Sequence, residues 1–138
     1  MPVLNEIAAK LASLGLGTVG TTIHIQTMPE TDASSSGMPM CAVYEYGGLA
    51  ADLGFGDTGI LHEHPSVQVV FRGWPYDYAT PRTSAGTAHN GLASVQGTTL
   101  SGTNYLLIRP SQSPFPIKKD EMHRWYIGCN YQIDKEPS

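Results

Sequence analysis

Residues Pro65 to Leu92 read PSVQVVFRGWPYDYATPRTSAGTAHNGL, and here a strand pattern runs directly into a helix pattern. Val67, Val69 and Phe71 alternate with Gln68, Val70 and Arg72, the period-two signature of a strand with one buried face. After the breaker Gly73-Trp74-Pro75, the small or apolar positions Ala85, Ala88, His89 and Leu92 recur at helical spacing. A strand followed by its own helix predicts an α+β layer pair, with the other strands beside this one and any other helix on the same side. Nothing in the stretch pairs a nucleophile with a base or gathers metal ligands. The middle of the chain is built for shape.

Before this centre, Val3 to Leu14 reads as a helix: Leu4, Ile7, Ala8, Leu11 and Leu14 form one apolar stripe, Glu6 suits the positive end of the dipole, and Gly15 closes it. Thr22 to Gln26 reads as a short strand and Met28 to Met40 as a loop with two Pro and three consecutive Ser. Met40 to Tyr46 is a second strand, with Cys41, Val43 and Glu45 on one face. Gly47 to His64 holds five Gly and shows no periodicity, so a long loop is expected there.

In the helix of the central stretch, Thr80-Pro81 suits N-cap and first position, with Asp77 able to cap an earlier turn. After it, Thr98 to Ser101 leads to a strand at Asn104 to Arg109, ended by Pro110. Ser111 to Ile117 reads as a rigid connector, and Lys118 to Glu121 as a charged turn. In Met122 to Ile133, Trp125, Ile127, Cys129, Tyr131 and Ile133 alternate with polar or small residues, giving a long last strand. Residues 134–138 are expected to fray. There is no internal repeat, and residues 1–138 are expected to form a single domain.

With 138 residues, 41% hydrophobic and 14% charged, the chain can bury a core without staples. A net charge of -4, from 8 basic and 12 acidic residues, offers no basic stripe for phosphate neutralisation. Cys41 and Cys129 are the only cysteines and form no CxxC, which points to a reducing cytosol rather than a disulfide framework. No apolar run is long enough for export or for a membrane span.

Several motifs tempt. Gly15 to Gly20 and Gly54 to Gly59 both match GxGxxG, but the first follows a helix and leads into a strand, while the second meets His62-Glu63-His64 with no helix after it. A dinucleotide site needs a strand before those glycines and a helix after them. His62 and His64 are suitable metal-ligand types, with His24, His89 or His123 as possible third ligands, yet the sequence does not bring them together. An exposed polar hinge is the plainer reading. Cys41 and Cys129 sit on strand faces where an ordinary buried thiol is expected. No GxSxG elbow and no close carboxylate pair is present, so no catalytic residue and no cofactor is assigned.

Four segments taken in order carry a family resemblance: Leu4 to Ile25 (LNEIAAKLASLGLGTVGTTIHI), the EYGG turn at Glu45 to Gly48, the VQVVFRG strand at Val67 to Gly73, and a final segment with Asp120, Glu121, Arg124, Asn130 and Tyr131. The ordered set resembles the minor capsid protein family of tailed bacteriophages, whose members look like tail terminator or tail completion proteins of the head-tail junction. The resemblance implies an α+β fold with a mixed, mostly antiparallel sheet backed by two helices. It also implies a virion protein, assembled in the host cytoplasm, that forms a homohexameric ring on the end of the tail tube. Such a ring stops tube growth, meets the head-tail connector or stopper protein, and lets DNA pass through its lumen.

Within that reading, Leu53, Phe55, Ile60 and Leu61 are expected to anchor contacts between subunits. Lys118, Lys119, Asp120, Glu121 and Arg124 are expected to make polar contacts with a ring above or below. A head-side adaptor or stopper is the near alternative. A small-molecule or metal-binding domain built on the glycine loop, His62 and His64 is the other class.

Overall fold

A computed structural model describes residues 3–30, 38–53 and 60–137. In chain order the elements are α1 (Val3–Ser13), β1 (Ile23–Ile25), β2 (Met40–Leu53), β3 (Ile60–Pro75), α2 (Ala79–Ala93), β4 (Gln96–Leu100), β5 (Thr103–Pro110), β6 (Phe115–Lys119) and β7 (Arg124–Lys135). The strands form one 7-stranded sheet in the order β1-β2-β3-β7-β5-β4, with β6 also paired to β7. Among these strands only β1 and β2 pair in parallel; every other strand pair among the described residues is antiparallel. This is an α+β fold with a mixed, mainly antiparallel sheet and two helices.

Strand β3 is the axis of the sheet. On one side Cys41 and Val43 of β2 face Phe71 and Val69; on the other, Ile127, Cys129 and Tyr131 of β7 face Phe71, Val69 and Val67. All of these side chains are buried in one hydrophobic cluster with Ile108 and Ile133. Burying each large apolar side chain in such a cluster contributes about 1.5–3 kcal/mol.

Both helices cover this face. Leu4, Ile7, Ala8 and Leu11 of α1 pack toward β1, β2 and β4, while Ala85, Ala88 and Leu92 of α2 pack toward β3, β5 and β7. The helices meet where Gly91 faces Leu14, and a Cβ added at Gly91 would collide with the Leu14 side chain. α2 starts at Ala79, one residue before Thr80, and the Asp77 Oδ1 accepts the Thr80 N–H of its first turn at 3.1 Å.

The structure corrects several expectations. Gly47 to Leu53 and Ile60 to His64 are strand rather than loop: β2 and β3 extend through them as the arms of a long hairpin, paired as far as Leu53↔Ile60, while the rest of the expected loop lies outside the described residues. Gly48 instead serves a bulged strand, since a Cβ on it would strike the His64 carbonyl. The register shifts between Tyr46 and Leu49 at this point. The connector before Lys118 contains β6, whose pairing with β7 hides in a short segment with two Pro. Lys118 and Lys119 therefore lie in a strand, not in the turn. The C-terminal end does not fray at 134: Lys135 is buried in β7, and the Glu136 N–H bonds the Asn104 carbonyl at 3.0 Å.

Candidate functional site: the two ends of the sheet

The described residues contain no group of three or more His, Cys, Asp or Glu placed to hold a metal ion, and no helix among them is long and apolar enough to cross a membrane. His62 and His64 lie in β3. The Nδ1 of His64 is 2.6 Å from Asp134 Oδ1 on the neighbouring β7, so this ring is engaged across the sheet. Cys129 is buried on the core face and donates to the Gln112 carbonyl at 2.9 Å, with His89 Nδ1 at 3.8 Å. Burial pushes both the Cys41 and the Cys129 thiols up, and this outweighs the hydrogen bonds that favour the Cys129 thiolate. Neither cysteine is an activated nucleophile.

What the fold displays instead is surface at its two ends. Strand β3 pairs with β7 only as far as Glu63↔Lys135, whereas it pairs with β2 out to Ile60. The last part of the hairpin thus projects beyond the sheet with each arm paired only to the other. It carries Leu53, exposed at 72%, while Leu49, exposed at 66%, stands opposite His64 where β3 still neighbours β7. Phe55 lies outside the described residues, and Ile60 and Leu61 are placed in β3 by their backbone. Residues 40–66 contain four acidic residues, Glu45, Asp52, Asp57 and Glu63, and no Lys or Arg.

The opposite end is formed by the β3–α2 and β6–β7 turns. Tyr76 and His123 both adopt positive φ, 62° and 61°, in backbone that side-chain-bearing residues seldom take. Their rings stack at 4.6 Å, and the Tyr76 N–H bonds the His123 carbonyl at 2.8 Å, which ties the two turns together. Tyr76 is 78% exposed and Met122 is 53% exposed. Beside them Lys119 Nζ lies 5.5 Å from the Trp125 ring and Lys118 Nζ 4.6 Å from the Tyr126 ring.

Of the five charged residues expected in contacts here, two turn inward. Arg124 is 2% exposed, and its Nε donates to Asp120 Oδ2 at 2.8 Å. Its Nη1 donates to the Glu30 carbonyl at 2.7 Å. Lys118, Lys119 and Glu121 remain exposed. Arg72, expected on the wet face of β3, is also buried, and its Nη1 donates to the Pro29 carbonyl. Two buried guanidiniums therefore hold residues 29–30 across the outer face of the sheet. Period-two reading missed them because it sorts residues by polarity, while a strap of chain covers this face and supplies carbonyl acceptors.

The helix-backed sheet thus presents a projecting hairpin at one end and an aromatic, lysine-flanked turn at the other. The chain belongs to the bacteriophage tail terminator protein family, whose model matches residues 10–137, and it is a structural virion protein of the tail. No curated protein matches the sequence. A chain from the virion of a native gene transfer agent particle shares the fold, with a TM-score of 0.61 at 12% identity over 98% of this chain and 95% of that one.

Proposed function

We propose that this protein is the ring that ends the tail. Identical copies close into a homohexamer on the last ring of tail tube protein, halt its polymerisation, and offer the other side to the head-tail connector, with DNA passing through the lumen. Among the structural observations, the one that carries this reading is the hairpin with Leu49 and Leu53 held out in solvent. Large apolar side chains exposed on a hairpin arm make a surface suited to being covered by a partner. In a closed ring each copy uses two different patches in a heterologous contact. The hairpin supplies one, with Phe55, Ile60 and Leu61 assigned to the same surface. The end of β6 and the β6–β7 turn supply contacts through Lys118, Lys119 and Glu121, since Asp120 and Arg124 bond to one another. A net charge of -4 suits a lumen along which DNA slides without sticking.

The deciding experiment is the mass of the purified protein in solution, by light scattering or native mass spectrometry, alone and mixed with its tail tube protein. A hexamer, or a monomer that forms rings only on tube ends and halts their growth, is expected. A monomer that leaves tube growth unchanged overturns the proposal. The adaptor reading makes the opposite demand, binding to the head connector without any effect on tube length.

A further inference from the structure

We infer that His64 and Asp134 form a pH-sensitive clasp at the base of the hairpin: while the His64 ring is protonated the pair fastens the arm to β7, and loss of that proton loosens it. The clasp belongs to the single subunit and does not depend on the ring.

Its place is the point where β3 and β7 part. Between the backbone pairs Ser66↔Gln132 and Glu63↔Lys135, His64 lies opposite Asp134, and from Glu63 outward β3 pairs with β2 alone among the described strands. The His64 Nδ1 and Asp134 Oδ1 are 2.6 Å apart, and both side chains are mostly covered, at 17% and 24% exposure. Directly opposed side chains of unlike charge help to hold an antiparallel pair together. Pro65, next to His64, brings no N–H to the ladder. On the β2 side the register shifts at the same level, between Tyr46 and Leu49, the residue opposite His64. The side-chain pair thus ties the arm down where the backbone pairing is least regular.

Imidazole ordinarily changes charge at about pH 6.5, close to neutral. Among the described side chains, the charge against the ring is the Asp134 carboxylate of β7. Asp134 also lies 3.8 Å from Arg109 Nη2 of β5, but that guanidinium is 56% exposed and screened by solvent. Alternation turns Glu63 to the other face, where Lys135 Nζ lies 3.7 Å from it. His62, two residues along β3, adds charge only once it is itself protonated, and Glu45 of β2 lines the same shallow cleft as His64. A carboxylate at hydrogen-bond distance outweighs the more distant and exposed Arg109, so the fold favours the imidazolium.

The deprotonated ring can still bond Asp134, but a charge-assisted bond is roughly twice as strong as a neutral one. A group that keeps its proton to higher pH in the fold than in the open chain contributes stability in full below the open-chain value. That contribution is lost as the pH rises through the folded value. The arm is therefore held best below about pH 6 and more loosely above about pH 8. Leu53 stands on this arm, so a rise in pH loosens the segment that presents it.

The test uses the full-length, isotope-labelled protein. The His64 ring resonance is followed by NMR from about pH 5 to about pH 9 in wild type and in Asp134→Asn. The wild-type midpoint is expected to lie at least about 0.5 pH unit above that of Asp134→Asn. In parallel, amide exchange corrected for its intrinsic pH dependence reads the opening of residues 49–53 and 60–63. Between about pH 5.5 and about pH 8, their protection in wild type should fall at least about threefold relative to Val69 and Ile127, and in His64→Gln this dependence should vanish. Equal midpoints in wild type and Asp134→Asn overturn the clasp. So does wild-type protection that ignores pH, a result that needs no variant to fold.

Discussion

Arg124 and Asp120 close the β6–β7 turn on itself. The Arg124 Nε donates to Asp120 Oδ2 at 2.8 Å, while Asp120 Oδ1 accepts the backbone N–H groups of Met122 and Arg124, each at 3.0 Å. One carboxylate thus holds the turn and neutralises a buried guanidinium. Removing it leaves a charge under cover with part of its compensation gone. Asp120→Ala is expected to cost about 3 kcal/mol in urea unfolding. A loss below about 0.5 kcal/mol would mean that the pair adds nothing to the fold.

The same pair sets an acid limit. Burial by itself raises the Asp120 carboxyl, but the hydrogen bonds and charge of Arg124, with the Met122 N–H, hold it below its ordinary value of 3.8. A folded value below the unfolded one stabilises the protein above the unfolded value, and that contribution is lost as the pH falls through the folded one. The stability gap between wild type and Asp120→Asn should be constant above pH of about 5 and shrink steadily below about 4. Unfolding curves at a series of acid pH values measure it, and a gap that widens on acidification contradicts the assignment.

Glu6 is buried in α1, where its Oε1 accepts the Tyr105 hydroxyl at 2.9 Å and its Oε2 has no hydrogen-bond partner. Tyr105→Phe takes away the one side-chain donor this carboxyl has among the described residues, and should cost about 2 kcal/mol. Glu6→Met combined with Tyr105→Phe removes both polar partners and should recover most of that loss. A double-mutant cycle by thermal unfolding reads the coupling, and additive losses would show that the two groups act independently.

Gly48 lets β2 approach β3 at the start of the projecting arm, where a Cβ would strike the His64 carbonyl and come within 3.0 Å of the Pro65 Cα. Both neighbours are backbone or ring atoms of a paired strand and cannot step aside. Gly48→Ala should cost about 1–3 kcal/mol. Amide exchange of residues 49–53 would rise with it, and an unaffected hairpin would contradict the packing described.

Leu49→Ser with Leu53→Ser changes two exposed side chains and should leave unfolding within about 0.5 kcal/mol of wild type. Ring formation, read by native mass spectrometry, should nevertheless be lost. Unfolding at lower denaturant would show that these leucines belong to the core of the subunit, and normal assembly would free them from the contact.

Periodicity determined a good part of this protein. The alternation of Val67, Val69 and Phe71, the stripe of Leu4, Ile7, Ala8 and Leu11, and the run from Trp125 to Ile133 were legible because each element buries one face, and a buried face writes its own period into the residues. The ordered segments that carry the family resemblance were legible for the same reason. Tertiary structure alone decided the rest. β6 and the hairpin arms take their order from hydrogen bonds to a neighbouring strand, and backbone bonding leaves no side-chain period when neither face is fully buried. Arg72 and Arg124 look like surface charges until residues 29–30 cross above them and offer carbonyls. Nor could any spacing show that Tyr76 and His123, far apart in sequence, stack at one end of β3 while Leu49 and Leu53 stand at the other. Contacts between distant segments depend on the path of the whole chain, which no local window of residues contains.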